Sequence, residues 1–438
     1  MKCLVSGFEN ATKLCGKQRT KQGGPLRFSQ FCMRIPCEEG TLLYNTLTGK
    51  LLLLDPAESM DGCTTELAED WFLVPEQYDE TGRLMQLRSL LAMLNQRKHI
   101  TNYTILTTTD CNARCFYCYQ LGVKRFPMTE SAAHEIADYI ARSCGGEKVN
   151  ICWFGGEPLY NPRAIEIISA DLKNSGLSFQ SRMVSNGFLL DEETAQNAVR
   201  DWNLRTVQIT LDGTQEIYNR TKAYIDHPEN AYARVLSNIE GALKAGINVS
   251  IRLNVDRNNA ADILCLVDEL AERFGGNAKI QVYAALLKDY HTPIHDFATQ
   301  EEEKAIVVAL LDKLSAAGLC RPGKLAERLP FNACMADDDG SVVILPDGQI
   351  AKCEHIDTAG TVGSIRGGQL DDNSVKDWKR TVMLPECRTC PLLPQCINLA
   401  RCPSVREHCS EAERALKTRQ LEAKIMSAYR NREKETNG

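Results

Sequence analysis

Three cysteines stand close together in the stretch TTDCNARCFYCYQLG, residues 107–121, at positions Cys111, Cys115 and Cys118. Their C-x3-C-x2-C spacing favours iron–sulfur ligation, because cysteine thiolates are the ligands that such clusters use. A cuboidal [4Fe–4S] cluster usually takes four cysteines, one for each iron. The run of three therefore predicts a cluster whose fourth iron is not held by this motif.

Cysteine is abundant elsewhere in the chain too, with 19 among 438 residues. The N-terminus, MKCLVSGFEN, lacks the continuous apolar stretch of a secretory signal. We therefore expect a cytoplasmic, oxygen-sensitive protein whose thiols mostly ligate metal, with disulfides as the alternative. Thiols in apolar helix or strand patterns are better read as buried small hydrophobes; these are Cys144, Cys152 and Cys265. Seven cysteines fall near the C-terminus: Cys334, Cys353, Cys387, Cys390, Cys396, Cys402 and Cys409.

Composition and charge are those of an ordinary soluble protein. The chain is 43% hydrophobic and 25% charged, with a net charge of -6. This charge gives no indication of nucleic-acid or anionic-membrane binding. The longest clean apolar run, residues 305–311, is too short to span a bilayer. We therefore expect neither nucleic acid nor membrane among the partners.

The central part of the chain alternates between strand and helix patterns. Six strands, each followed by a helix, predict a parallel sheet with right-handed crossovers. Six units suffice for a (β/α)6 partial barrel and fall short of the eight that close a complete one. The predicted strands are residues 103–109, 149–154, 178–184, 205–211, 247–255 and 278–286.

Polar and glycine-rich residues follow the first four of these strands. The cysteine trio follows the first, and GGEP (155–158) follows the second. SNG (185–187) and LDG (211–213) follow the third and fourth. Because chemistry in parallel sheets collects at the carboxyl ends of the strands, these residues are expected to share one rim.

Together, CNARCFYC, GGEP, SNG and LDGTQEIYNRTK resemble the radical S-adenosylmethionine (SAM) superfamily. The resemblance implies that the amine and carboxylate of SAM chelate the open iron of a [4Fe–4S] cluster. It also implies reductive cleavage of SAM to methionine and a 5′-deoxyadenosyl radical, which abstracts hydrogen from an unactivated position. The part left to the protein is to position the cofactor and to exclude competing reactions.

The same resemblance assigns cofactor contacts on the rim. The backbone around Gly155 and Gly156, with Glu157, would bind the methionyl amine; the alternative is a turn whose glycines permit the bend. Tyr117 would shield the cluster near the adenine. Contacts to the ribose hydroxyls fall to Ser185, Asn186 and Asp212, each of which is otherwise a turn or capping residue. Arg220 and Arg252 are candidates for ribose or carboxylate contacts, or are solvated and ion-paired arginines.

The C-terminal cysteines resemble the SPASM domain, which binds two auxiliary [4Fe–4S] clusters and would raise the total to three. By this resemblance one auxiliary cluster uses Cys387, Cys390, Cys396 and Cys409, and the other uses Cys334, Cys353 and Cys402. The sequence departs from the SPASM pattern in the five-residue gap INLAR and in lacking an evident fourth ligand for the second of these sets. That ligand is either Cys320 or a substrate thiolate. A zinc ribbon is the alternative for residues 387–409.

The region before the trio is long. TLLYNTLTGKLLLLD (41–55) predicts a hairpin, and helical patterns follow around 64–72 and 81–96. This arrangement resembles the winged-helix-like recognition element of ribosomal peptide maturases, which binds a leader peptide by strand addition; a structural cap is the alternative. The expected domains are a flexible tail (1–26), this α+β element (27–98), the partial barrel (99–318), the cysteine-rich iron–sulfur domain (319–410) and a C-terminal helix and tail (411–438).

Two classes of function follow. The first is a radical SAM maturase that forms a thioether or carbon–carbon crosslink in a precursor peptide with a leader sequence. It would draw electrons from a low-potential donor of the flavodoxin or ferredoxin type. Formylglycine synthesis in sulfatases and peptide epimerisation are alternatives within this class. The second class is a non-catalytic iron–sulfur electron carrier or redox scaffold, which has no use for GGEP or an open cluster.

Overall fold

The computed structural model describes residues 1–15, 24–55, 60–94, 96–226, 229–287, 300–320, 325–329, 334–355, 360–367, 370–396, 399–403 and 409–436. The chain forms an N-terminal α+β region, a central parallel sheet covered by helices, and a C-terminal region rich in short elements. None of the described helices is long and apolar enough to cross a membrane.

The N-terminal region is built on a four-stranded antiparallel sheet of order β1-β5-β4-β3. The predicted hairpin is present as β4 and β5, which pair from Thr41↔Leu54 to Tyr44↔Leu51. Leucines on both faces of this hairpin are buried, so the sheet is covered on both sides. The elements are β1 (Lys2–Ser6), α1 (Glu9–Cys15), β2 (Leu26–Phe28), β3 (Cys32–Cys37), β4 (Gly40–Asn45), β5 (Lys50–Leu54), α2 (Met60–Glu69), β6 (Leu73–Pro75) and α3 (Glu80–Leu94).

The prediction of a flexible tail at 1–26 was wrong for the start of the chain. Strand β1 pairs antiparallel with β5, and Phe8 is fully buried behind it. Phe8 packs against Gly49, where an added Cβ would lie 2.6 Å from the ring. A five-residue strand with no alternating pattern gives little signal in the sequence, and it is recruited because β5 would otherwise leave its backbone groups unpaired. The part of the tail at 16–23 lies outside the described residues.

The central sheet contains six parallel strands in chain order, as the sequence predicted. Their outer side chains pack against the helices in one large core. The inner side chains alternate with these and are mostly polar. The elements are β7 (Asn102–Thr108), α4 (Glu130–Ser143), β8 (Val149–Gly155), α5 (Pro162–Asn174), β9 (Phe179–Ser185), α6 (Glu192–Asp201), β10 (Leu204–Leu211), α7 (Gln215–Lys222), α8 (Ala231–Lys244), β11 (Asn248–Val255), α9 (Ala260–Phe274), β12 (Ile280–Leu286) and α10 (Gln300–Ala316).

The buried-thiol interpretation holds for two of the three cysteines to which it was applied. Cys144 and Cys152 are buried, whereas Cys265 on α9 is exposed. The apolar pattern of that helix is correct, but Cys265 lies on its outer side, one position before the buried Leu266. A helix buries only part of its circumference, so an apolar residue can still face solvent.

The C-terminal region continues the central sheet instead of forming a separate layer. β13 (Ser341–Ile344) runs parallel to β7, and β14 (Gln349–Ala351) and β15 (Gly363–Ser364) extend the sheet in antiparallel fashion. The remaining elements are α11 (Asp372–Trp378) and the long α12 (Glu411–Thr436). The cysteine-rich segment is therefore anchored next to the strand that precedes the trio.

The N-terminal region packs against the C-terminal one. Ile425 and Tyr429 of α12 share a core with side chains of β3, β4 and β5. Arg88 of α3 donates to the carbonyls of Leu393 and Cys396, at 2.8 and 2.9 Å. The two regions are thus joined by both apolar and polar contacts.

Candidate active site

The cysteine trio lies in the loop that leaves the carboxyl end of β7. Arg114 donates to the carbonyl of Cys111 at 2.5 Å, and the backbone N–H of Cys118 donates to the carbonyl of Cys115 at 3.2 Å. The N–H of Ala113 points at the Cys111 sulfur, 3.3 Å away. An N–H directed at sulfur stabilises a thiolate, so the loop is suited to negatively charged cysteines.

All three cysteines are free and partly exposed to solvent. Burial raises the pKa of Cys111 to about 12 and that of Cys115 to about 11, while the Lys222 ammonium lowers the latter. Each of these thiols lies close enough to Cys118 for the sulfurs to influence one another electrostatically. In the absence of a metal, the trio is therefore held as neutral thiols that cationic neighbours can help to ionise.

The two glycines of GGEP bring the end of β8 against this loop. A Cβ on Gly155 would lie 2.1 Å from the carbonyl oxygen of Thr108, and one on Gly156 would lie 2.2 Å from that of Asp110. Gly155 also has a φ of +127°, in the region that favours glycine. No side chain fits at either position, so these glycines set the separation between the second strand end and the cluster loop.

Glu157 is fully buried and faces the third strand end. Its carboxylate accepts hydrogen bonds from the Ser185 hydroxyl at 2.9 Å, the Asn186 N–H at 2.8 Å and the Leu159 N–H at 3.1 Å. Burial raises the pKa of Glu157 to about 6, and these hydrogen bonds limit the rise. The carboxylate thus links β8 to the SNG turn, a structural role that the sequence did not reveal.

The remaining SNG contacts reach the trio directly. The Asn186 amide donates to Asn112 Oδ1 at 2.7 Å and lies 3.9 Å from the Cys111 sulfur. The other polar atom of the Asn112 amide, Nδ2, is buried and has no hydrogen-bond partner in the part of the chain that the structure describes. An unpaired buried donor beside a cluster loop indicates that a group is still to be bound there.

The fourth strand end contributes a buried ion pair. Lys222 Nζ and Asp212 Oδ2 are 2.9 Å apart, and both side chains are almost wholly inaccessible to solvent. The Tyr117 hydroxyl donates to Asp212 Oδ1 at 2.7 Å, and Asn254 donates to the same oxygen at 2.9 Å. Lys222 also donates to the Thr210 hydroxyl at 2.6 Å. Asp212 Oδ2 has the Lys222 ammonium as its ion-pair partner but no hydrogen bond within the described residues, so the other contacts of this carboxylate are made through Oδ1.

Lys222 carries its charge in spite of its burial. Burial alone would lower its pKa, but the Asp212 carboxylate and the Cys115 thiol oppose this effect, and the pKa is raised overall. The backbone carbonyl of Lys222 also accepts from the Arg114 N–H at 2.9 Å. The end of α7 therefore supports the cluster loop and places a fixed cation beneath it.

Two of these residues were missed in the sequence. Lys222 lies inside LDGTQEIYNRTK, but a lysine at the end of a helix is ordinarily expected to be exposed to solvent, so its burial was not predicted. Asn254 is in a strand with no motif. Of the two arginines considered, Arg220 is an exposed residue 3.9 Å from Glu216 on its own helix, which agrees with the ion-pair alternative. The roles of Tyr117, Ser185, Asn186 and Asp212 toward SAM remain predictions. In the structure Tyr117 donates to Asp212, Ser185 donates to Glu157 and Asn186 donates to Asn112.

Cys334, Cys353 and Cys402 lie close enough to affect one another's ionisation. Burial raises the pKa of Cys334 to about 11, and the Glu354 carboxylate and Cys402 add to this rise. The pKa of Cys353 is raised by burial and by Glu354, with Cys334 and Cys402 adding to it. The three thiols that the resemblance groups in one auxiliary site are thus neighbours.

Cys387, Cys390, Cys396 and Cys409 form a second neighbourhood. Burial raises the pKa of Cys409 to about 11, and the other three thiols add to the rise. Cys320 belongs to neither group: it lines a separate cavity beside α12, and the charged group near its thiol is Lys424. Cys320 lies at the β12 edge of the sheet, where the Val282 N–H donates to the carbonyl of the adjacent Leu319, whereas Cys334 lies beside β7. The fourth ligand of the Cys334 group remains a prediction.

Within the described residues, no three cysteine, histidine or carboxylate side chains converge on a point where one metal ion would sit. A zinc ribbon needs four ligands on a single ion, whereas a cluster distributes its thiolates over several irons. The ribbon interpretation of 387–409 thus has no preformed site in the described structure.

Comparison with known proteins finds a family match in the central part of the chain. Residues 105–269, from β7 into α9, match the model of the Radical SAM superfamily. This segment of the chain is similar to a radical SAM domain. The matched range includes the trio, GGEP, SNG and the Asp212–Lys222 pair.

Curated relatives of the radical SAM domain differ in activity. Fe-coproporphyrin III synthase of Methanosarcina barkeri is 25% identical over 165 residues, which are 38% of this chain. A probable GTP 3′,8-cyclase of Archaeoglobus fulgidus is 34% identical over 116 residues, or 26% of this chain. The chain spans 39% and 36% of the lengths of these two relatives. The probable GTP 3′,8-cyclase of Pyrococcus abyssi is 25% identical over 65% of this chain and 95% of that protein.

Solved structures extend the similarity beyond the radical SAM domain. The anSMEcpe enzyme with bound AdoMet superposes with a TM-score of 0.56 at 16% identity, over 77% of this chain and 95% of its own. Streptococcus suis SuiB bound to its precursor peptide SuiA superposes with a TM-score of 0.50 at 14% identity, over 85% and 94%. At these identities the likeness concerns the fold.

The rim suits the group that a radical SAM domain requires. It offers three free thiols, an N–H directed at sulfur and a fixed lysine close to the trio. Thiolates with nearby cations are the donor set of an anionic iron–sulfur cluster. The unpaired Asn112 amide faces the same region. The residues present therefore fit a [4Fe–4S] cluster with a polar cofactor beside it.

Proposed function

We propose that this protein is a radical SAM enzyme that modifies a ribosomally made precursor peptide, by forming a thioether or a carbon–carbon crosslink. A radical SAM domain makes it an enzyme of radical chemistry. The observation that carries the proposal is that the trio, the Gly155–Gly156 approach and the Asp212–Lys222 pair share one rim of the parallel sheet. Peptide modification is the more specific part and rests on the flanking regions.

When bound and reduced, a [4Fe–4S] cluster with SAM supplies a 5′-deoxyadenosyl radical that abstracts hydrogen from an unactivated carbon. Cys111, Cys115 and Cys118 are the residues that would hold the cluster. Gly155 and Gly156 keep the β8 end close to the loop, and the backbone around them would orient the cofactor amine.

Lys222 and Asp212 have a supporting role in this account. The lysine partly compensates the negative charge of three thiolates, and Asp212 keeps the lysine protonated. Tyr117 is fixed by its hydroxyl and covers the loop from the side of β10.

The flanking regions support a peptide substrate. The N-terminal sheet presents edges formed by β1 and β3, of the kind to which an extended peptide adds. Cysteine groups at 334–402 and 387–409 suit two auxiliary [4Fe–4S] clusters, for a total of three. Among similar folds, SuiB is bound to the precursor peptide SuiA and anSMEcpe to a Cp18Cys peptide. A low-potential flavodoxin or ferredoxin would supply the electrons.

A small-molecule cyclase is the second candidate, because several curated relatives are probable GTP 3′,8-cyclases at up to 34% identity. The feature that separates the candidates is the N-terminal region that precedes β7, with its own sheet and core.

The two candidates are separated by one incubation series. The anaerobically reconstituted enzyme is given SAM and a reductant with either a short precursor peptide encoded beside its gene or GTP. Tandem mass spectrometry of the peptide should show loss of hydrogen at a crosslinked residue pair, and GTP should be recovered unchanged. An unmodified peptide together with conversion of GTP would reverse the proposal.

A further inference from the structure

The free edge of strand β3 borders a cavity of about 740 Å³. β3 is the last strand of the N-terminal sheet, and β4 is its only neighbour among the described strands. Three consecutive residues of β3 line the cavity: Arg34, Ile35 and Pro36. Because successive side chains of a strand point to opposite faces, three consecutive residues can share a wall only where the strand presents its edge. The cavity therefore meets the backbone of β3.

The register of β3 shows which of its backbone groups are directed away from β4. The Phe31 carbonyl accepts from the Thr46 N–H at 2.9 Å, and the two strands pair onward without a shift. In an antiparallel pair, alternate residues turn their N–H and C=O groups away from the partner strand, and here these include Arg34 and Pro36. Proline has no N–H, so Pro36 at an outward position costs the pairing with β4 no hydrogen bond. The edge thus offers the N–H and C=O of Arg34 and the C=O of Pro36.

The opposite wall of the same cavity belongs to the inside of the central sheet. Ser250 and Gln281 are direct neighbours in the register of β11 and β12, and Tyr283 follows on β12. On β12 the cavity residues alternate with core residues such as Val282, so they lie on the inner face. The Tyr283 hydroxyl donates across this face to Gln208 of β10, at 2.8 Å. One cavity thus connects the edge of β3 with the inner face of the central sheet.

The wall formed by α10 and α12 carries charges that are largely paired. Arg419 of α12 lies 3.3 Å from Asp312 of α10 and 3.3 Å from Glu422 on its own helix. Lys424 adds one further positive charge to this wall. The wall therefore lacks the cluster of cations that a triphosphate would require. Open backbone groups opposite neutral polar side chains suit an extended peptide better.

We propose that this cavity is the passage through which the precursor peptide enters the barrel. The peptide pairs with the edge of β3, and the segment that follows runs between β12 and α12 to the inner face of the central sheet. This inference rests on the proposed function, whose substrate it places. Pairing with β3 fixes the register of the peptide and holds the following segment at a high effective concentration inside the barrel.

The first test maps the path of the peptide by photo-crosslinking. The precursor peptide encoded beside the gene is prepared with benzoylphenylalanine at successive positions and irradiated with the reconstituted enzyme and S-adenosylhomocysteine. Tandem mass spectrometry should find adducts on β3 for one set of positions, and on β12, α10 or α12 for the positions that follow. Adducts confined to other elements, or the absence of adducts, would overturn the proposal.

A second test isolates the backbone donor on the edge of β3. Arg34→Pro removes the N–H that faces away from β4, whereas Arg34→Ala removes only the side chain. In anisotropy titrations with the fluorescein-labelled precursor, Arg34→Pro should weaken binding about tenfold, because a peptide carbonyl loses its donor, and Arg34→Ala less than about threefold. Equal affinities of the two variants would contradict pairing with β3. The crosslinks of the wild-type protein decide the matter if Arg34→Pro does not fold.

The same preparations separate this inference from the proposed function. Mass spectrometry of the precursor after incubation with SAM and a reductant reports its modification, and release of 5′-deoxyadenosine reports the radical chemistry. A precursor that is modified without adducts in the cavity contradicts the passage alone. A precursor that is neither crosslinked nor modified contradicts both.

Discussion

Lys222 Nζ lies 2.9 Å from Asp212 Oδ2, in a pair whose side chains are 2% and 0% exposed to solvent. The pair stands beneath the cysteine loop, and the pKa of Cys115 responds to it. The end of β10, the end of α7 and the cysteine loop are thereby joined at this ion pair.

Replacing Lys222 by Met should destabilise the protein by about 3–5 kcal/mol, because the Asp212 charge would be left buried and unpaired. The double variant Lys222→Met with Asp212→Asn should recover part of the loss. Chemical denaturation of the metal-free protein measures both. A single variant as stable as the wild type would mean that water reaches Asp212 and that the pair is not sealed.

Gly156→Ala should displace the cluster loop, since its Cβ would lie 2.2 Å from the Asp110 carbonyl oxygen. We expect the reconstituted variant to lose about four irons, those of one [4Fe–4S] cluster. Gly24→Ala, where an added Cβ meets nothing within 4 Å, is the matched control and should keep its full iron content. Normal iron in Gly156→Ala would show that the loop can shift without losing its cluster.

Glu157 predicts a pH dependence of stability. Its folded-state pKa of about 6 lies above the ordinary value of 4.5, so the folded state holds the proton more tightly than the unfolded state. The resulting stabilisation is complete below pH 4.5 and is lost as the pH rises through 6, by about 2 kcal/mol in total. Glu157→Gln cannot titrate, so its free energy of unfolding should lack this decline. Parallel pH profiles of the two metal-free proteins would contradict the raised pKa.

Arg88 should be needed by the second auxiliary cysteine group. It donates to the carbonyls of Leu393 and Cys396, so Arg88→Ala should loosen the turn that carries Cys396. We expect about four irons fewer than the roughly twelve of three clusters. Arg83→Ala on the same helix and Cys320→Ala should retain all of them. Iron loss in Cys320→Ala would instead restore that residue as a ligand.

The contacts of Arg88 also mean that deleting the whole N-terminal region is not a clean test of peptide recruitment. Deletion of residues 1–98 would remove the leader-binding candidate together with a support of the auxiliary cysteines. Point variants on the β1 or β3 edge are therefore the better probes of peptide recruitment.

The sequence predicted the central sheet because apolar strands and amphipathic helices alternate there with little interruption. The rim was predictable for the same reason, since residues that follow parallel strands meet at one edge. Asn254 and Lys222 escaped notice because their partners are distant in sequence: Tyr117 lies more than 100 residues away from each.

The N- and C-terminal regions were harder to predict. Strand β1 is short, and only its pairing with β5 gives it a structure. Strands β13 to β15 have two to four residues each, and nothing local indicates that β13 continues the sheet beside β7. Such edge pairings depend on which backbone groups the rest of the fold leaves open, and no local pattern records that.

The measurement that tests the central claim most directly is 5′-deoxyadenosine formation under anaerobic reduction. Wild-type protein with three reconstituted clusters should release it from SAM even without peptide. The triple variant Cys111→Ala, Cys115→Ala, Cys118→Ala should release none while keeping its fold and the irons of the two C-terminal groups, because those groups use other cysteines. Continued release of 5′-deoxyadenosine by the triple variant would contradict the account.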